Sequence, residues 1–153
     1  MTSTEKRSVV HGTFTIERVY DASPERVFAA FSKREAKMKW FAGPEAWVTH
    51  QREQDFRVGG REVLSGGKPG EPAHTFDARY YDIVPNRRIV YAYDMYVGDK
   101  KLSVSLTTIE ILPHGKSTRL VFTEQGAYLD GVEDGSQREA GTKQLLEKLG
   151  QSL

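Results

Sequence analysis

Between residues 46 and 125 the chain alternates strand-like runs with turn signals, and past Ser136 it reads as a single helix. No other feature restricts the fold as strongly. Many consecutive strands followed by one late helix build an antiparallel sheet with a helix on one face, an α+β arrangement. "WVTHQREQDFRV" runs to Gly59-Gly60, a hairpin signal, and "REVLS" follows. "GGKPGEP" is a loop without the Gly-Lys-Ser/Thr context of a phosphate-binding loop. "HTFDARYYDIV", 74–84, ends at the turn signal Pro85-Asn86; on it, Phe76, Ala78 and Tyr80 compete with Tyr81 and Ile83 for the buried face. "RRIVYAYDMY", 87–96, puts Ile89, Tyr91, Tyr93 and Met95 on one face. "KLSVSLTTIEIL", 101–112, opens with Leu102, Val104 and Leu106 in one phase and closes with Ile109 and Ile111 in the other. That shift predicts a β-bulge at Thr107-Thr108. "TRLVFTEQG" is the last strand.

Helices frame this meander. The strand "VVHGTFTIERVY", 9–20, comes first. In "DASPERVFAAFS", Ser23 suits an N-cap and Pro24 the first helical position, with Val27, Phe28 and Phe31 on one face. Ser32 and Glu35 have capping-box spacing and predict a second short helix, ended by Gly43-Pro44. For the last helix, Ser136 and Glu139 have the same spacing, Leu145, Leu146 and Leu149 form the apolar stripe, and Gly150 suits the position after the end. Gly141 lies inside it, where glycine is costly unless something needs the room.

The 153 residues suffice for one domain, 1–153, with its own core. A formal net charge of +1 recommends neither nucleic acid nor an anionic membrane surface as partner. There is no apolar run long enough to span a bilayer, and "MTSTEKRSVV" lacks a signal peptide's apolar centre, so a cytoplasmic protein is expected. Cysteine is absent, which removes disulfides, thiol nucleophiles and thiolate metal sites. His11, His50, His74 and His114 show no metal-ligand spacing, so no metal and no cofactor are expected.

The stretches "SPERVFAAFS", "MKWFAGP", "DFRVGGRE", "YDIVPNRRIVYAY", "STRLVFTEQG" and "REAGTKQLLEKLG", in this order, cover nearly all of residues 10–150. Together they resemble the heat-shock-protein-90 ATPase activator homologue-like branch of the SRPBCC (START/Bet v 1-like) superfamily. The resemblance implies a helix-grip fold: a curved antiparallel sheet around a long C-terminal helix, two short helices after the first strand, and a cavity between sheet and helix. Members of the superfamily bind lipids, sterols, polyketides and hormones, and some are cyclases. The eukaryotic activator carries a further N-terminal domain with no counterpart in this sequence, which weighs against a chaperone partner.

The resemblance directs attention to the aromatic residues. Trp40, Trp47, Phe76, Tyr80, Tyr91, Tyr93, Met95, Phe122 and Leu146 are the expected lining of a site for a small hydrophobic or aromatic ligand. Filling of the core is the competing role, favoured for Phe28, Phe31 and Phe122. Glu124 shares the parity of Leu120 and Phe122 in "RLVFTEQ". Facing inward, it would be paired or have a raised pKa and could serve as a general base; at the strand end it would meet water. Arg138, Glu139, Lys143, Glu147 and Lys148 read as a solvated helix face. Exposed sheet edges leave room for a homodimer.

Overall fold

The structure, a computed structural model, describes residues 7–153; Met1–Lys6, the first part of the stretch read for a signal peptide, lie outside it. The order is β1 (Val9–Tyr20), α1 (Pro24–Ser32), α2 (Arg34–Met38), β2 (Val48–Gln54), β3 (Arg61–Gly67), β4 (His74–Val84), β5 (Arg88–Val97), β6 (Lys100–His114), β7 (Ser117–Leu129) and α3 (Ser136–Ser152). All seven strands form one antiparallel sheet in the order β1-β7-β6-β5-β4-β3-β2. It is a helix-grip-like α+β fold, with α3 against the concave face.

Local chemistry sets the boundaries, with several corrections to the sequence reading. Ser23 caps α1 as expected, its Oγ accepting from the Arg26 N–H at 3.3 Å, with Pro24 behind it. The two capping boxes do not form. Ser32 is the last residue of α1, and Lys33 starts α2 without a side-chain cap. Gly135 starts α3 at φ 98°, while Ser136 turns to Asp134, donating from N and Oγ at 3.0 and 2.7 Å. Gly150 does not end α3; it lies within it, where the Tyr20 ring occupies the space a side chain would need. In the β2–β3 hairpin, a Cβ on Gly60 would run into the Asp55 carbonyl oxygen, so glycine is required there.

No bulge occurs at Thr107-Thr108: β6 pairs continuously with β5 from Arg88↔Glu110 to Met95↔Ser103, and with β7 from Ser103↔Tyr128 to His114↔Ser117. The irregularity lies at Leu102, the extra residue between the pairs Met95↔Ser103 and Tyr96↔Lys101. Beyond it Ser103, Ser105, Thr107, Ile109 and Ile111 share the buried face, and Val104 and Leu106 point outward, 42% and 40% exposed. On β4 the register shifts between Tyr80 and Asp82, which turns Tyr81 out, 60% exposed, and leaves Phe76, Ala78 and Tyr80 inside.

The core gathers Ile16, Val27, Phe31, Ile89, Ile109, Ile111, Leu120 and Leu149. Each fully buried side chain of this size contributes about 1.5–3 kcal/mol. α3 is tied to this end by the Tyr20 hydroxyl, which donates to the Leu146 carbonyl at 2.7 Å.

Candidate functional site

Sheet and α3 do not fill the space between them along the whole helix. Leu149, Leu146, Thr142 and Arg138 follow one another along its inner stripe. The leucines close the core; farther along, Arg138 reaches the sheet with its polar head, but Gln137, Gly141 and Thr142 bring too little apolar volume to fill the space. A cavity of about 850 Å³ remains, bordered on the sheet side by Leu64, Phe76, Tyr91, Tyr93, Met95, Phe122 and Glu124. Trp40, Phe41, residues 42–45 and Trp47 wall another side, and Val132 and Glu133 border it just ahead of α3.

Of the residues named from sequence, Trp40, Trp47, Phe76, Tyr91, Tyr93, Met95, Phe122, Glu124 and Leu146 border this cavity. Tyr80 does not: it is buried beside Tyr91, ring centroids 6.0 Å apart, and its hydroxyl donates to Glu62. Phe28 and Phe31 are likewise outside the lining, whereas Phe122 is part of it. In "MKWFAGPEAW", the Trp40 indole N–H donates to the Ala30 carbonyl at 2.9 Å, which fixes the ring, and Phe41 packs edge-on to Phe76 at 5.0 Å. Trp47 stacks on His74 at 4.5 Å; His74 borders the cavity but is exposed.

One polar end is built around Glu124, which is 1% exposed. Its Oε2 accepts from the Tyr93 hydroxyl at 2.9 Å and its Oε1 from the Thr107 hydroxyl at 3.2 Å. Arg138 completes the group and corrects the solvated-face reading: its side chain is 11% exposed. It donates to Tyr93 Oη at 2.8 Å, Ser103 Oγ at 2.9 Å and Glu133 Oε2 at 2.7 Å. The guanidinium carbon lies 5.6 Å from the ring centroids of both Tyr93 and Tyr128. Burial raises the Glu124 carboxyl above its ordinary value, outweighing the nearby Arg138 charge and the hydrogen bonds from Tyr93 and Thr107. Burial and then Glu124 raise the Tyr93 phenol, so it stays protonated and donates.

A second charged pair, which the sequence reading missed, is Lys37 with Glu62, 2.7 Å apart, each side chain 5% exposed. The same Glu62 oxygen takes the Tyr80 hydroxyl, and the Lys37 ammonium sits 4.6 Å from the Phe41 ring centroid. Lys37 borders the cavity. Behind the polar end, Ser105 Oγ and Tyr128 Oη are buried without a hydrogen-bond partner, on either side of the space left by Gly126; neither borders the cavity. Among the described residues no group of three or more His, Asp or Glu is placed to hold a metal ion, and no helix is long and apolar enough to cross a membrane.

The chain is similar to the Mll3558 protein of Rhizobium loti, at 46% identity over 95% of this chain and 99% of that one, TM-score 0.89. It is similar to a Rhizobium leguminosarum protein at 42% identity over 96% and 97%, TM-score 0.90, and to CV1439 of Chromobacterium violaceum at 32% over 91% and 94%, TM-score 0.75. Among curated proteins none matches. Residues 21–153 match the family described as Activator of Hsp90 ATPase homolog 1-like protein. The chain therefore belongs to that family, a branch of the SRPBCC superfamily.

Proposed function

We propose that the protein binds a small apolar or amphipathic molecule between the sheet and α3. The cavity carries this reading. Its volume of about 850 Å³ lies within the roughly 300–1,000 Å³ of small-molecule sites. Aromatic and aliphatic walls with a few converging polar groups are what such sites need: area to bury, and hydrogen bonds to orient what is buried. Native mass spectrometry of protein purified from its own host tests it directly, since bound mass and subunit number appear together. The expected result is a co-purifying compound, with apolar or aromatic probes raising the melting temperature. No bound mass, together with no shift across a broad library, sinks the proposal.

Glu124 favours a second, catalytic reading of the cyclase type. A buried carboxyl with a raised pKa and a phenol donor on the cavity wall are the parts of a general acid–base pair. If the co-purified compound is turned over, Glu124→Gln keeps its binding and stops its turnover; unchanged turnover discards the reading. Stimulation of a chaperone ATPase is carried by the family description, and an ATPase assay without stimulation at micromolar protein rejects it.

A further inference from the structure

The polar groups around the cavity narrow the chemistry of its occupant, on the reading that the cavity binds a small molecule. Each charge on its inner walls already faces an opposite one, while Glu45 at the rim is exposed to solvent. Lys37 meets Glu62 at 2.7 Å, and Arg138 meets Glu133 at 2.7 Å with Glu124 3.7 Å away. An anionic group entering at either end meets a carboxylate, and a cationic one meets an ammonium or a guanidinium. A neutral occupant avoids both costs.

Among the buried residues of the wall, hydrogen-bonding capacity singles out one. Tyr93, Thr107 and Ser103 spend their hydroxyls on Glu124 and Arg138, and Ser65 and Thr75 bond each other at 3.0 Å. Tyr91 is different. It borders the cavity, is 8% exposed, and its hydroxyl has no partner among the described residues. Burial first, then the charge of Glu124, holds the phenol proton firmly in place, which leaves a donor without an acceptor. Around it stand Phe76, Tyr80 and Tyr93, each with its ring centroid 6.0 Å from that of Tyr91. Phe76 and Tyr93 share the cavity wall and offer flat apolar surface to either side of the donor.

We propose that Tyr91 determines the specificity of the cavity, its hydroxyl donating to the carbonyl oxygen of a neutral, flat, largely apolar ligand. The donor lacks an acceptor in the protein alone, and a carbonyl supplies one without bringing charge or a competing donor.

Three probes on one ring frame test this: fluorene, 9-fluorenone and fluorene-9-carboxylate, titrated into the full chain and into Tyr91→Phe. Wild type is expected to bind fluorenone about ten-fold tighter than fluorene, the scale of one buried hydrogen bond, and the carboxylate no better than fluorene. In Tyr91→Phe the two neutral probes should bind alike. The fluorenone C=O stretch should fall in frequency on binding wild type relative to its value in hydrocarbon solvent. An equal preference for fluorenone in both proteins overturns the proposal, as does a wild-type preference for the carboxylate. If Tyr91→Phe loses its fold, an unshifted C=O stretch in the wild-type complex overturns it alone. Failure of wild type to bind any of the three, like binding of all three alike, overturns this proposal, whereas the cavity reading falls only if native mass spectrometry and the broad library are also blank.

Discussion

The Tyr93 hydroxyl joins both charges at the polar end, accepting from Arg138 and donating to Glu124. Tyr93→Phe keeps the ring and leaves two buried groups short of a partner, so it should cost about 1–3 kcal/mol in urea denaturation. Glu124 makes a pH prediction with a definite sign. Its folded-state pKa is raised above the ordinary 4.5, so the folded protein holds this proton more tightly than the unfolded chain. The stability this contributes is complete below pH 4.5 and is lost as pH rises through the raised value. Stability curves of wild type and Glu124→Gln should therefore shift in favour of the glutamine variant as pH rises; a difference that stays flat with pH contradicts the buried carboxyl. Glu124 was legible from its parity with Leu120 and Phe122. Arg138 was legible too, one helical turn before Thr142 and two before Leu146, but a charged side chain hides its place on an apolar stripe. Lys37 and Glu62 gave no local signal, because their pairing joins a helix to a strand 25 residues on.

At the scale of elements, most strand limits fall within two residues of the pattern reading. The phase of β6 did not follow from polarity. Ser103, Ser105 and Thr107 look like outward residues, yet they face in toward Glu124, Arg138 and Tyr128, and the apolar Val104 and Leu106 face out. Alanine substitutions distinguish the two phases. Leu106→Ala should cost under about 1 kcal/mol and Ile109→Ala about 2–5 kcal/mol, measured by chemical denaturation. A reading with a bulge at Thr107-Thr108 predicts large costs at both. On α3, Gly141 borders the cavity and an added Cβ meets nothing within 4 Å. Gly141→Leu should therefore gain up to about 1 kcal/mol of helix stability. It should also project into the cavity and weaken the binding of apolar probes. A higher melting temperature with probe affinity unchanged would show that the site lies elsewhere.

At the scale of the molecule, the order of strands and helices was readable because it depends on period and punctuation alone. The unfilled space was not, since a cavity is a difference between volumes that arrive from distant segments. Its occupation has a thermodynamic signature. A ligand at about a hundred times its Kd adds about 2.7 kcal/mol to stability. In a domain of this size that raises the melting temperature by roughly 5–10 °C, and the rise should grow with the logarithm of ligand concentration. A rise that saturates at one equivalent of weak ligand would not be binding to the native state. The sheet order has a consequence for how the protein is made. Among the described residues, the one strand that pairs with β1 is β7, from Val9↔Leu129 to Tyr20↔Thr118. On the ribosome, β1 therefore appears first and waits for a partner about a hundred residues away, on the order of ten seconds at ordinary elongation rates. Until then its backbone edge and the apolar side of Phe14 and Ile16 are open to strangers, and the nascent chain's exposure to aggregation is set by synthesis time more than by final stability.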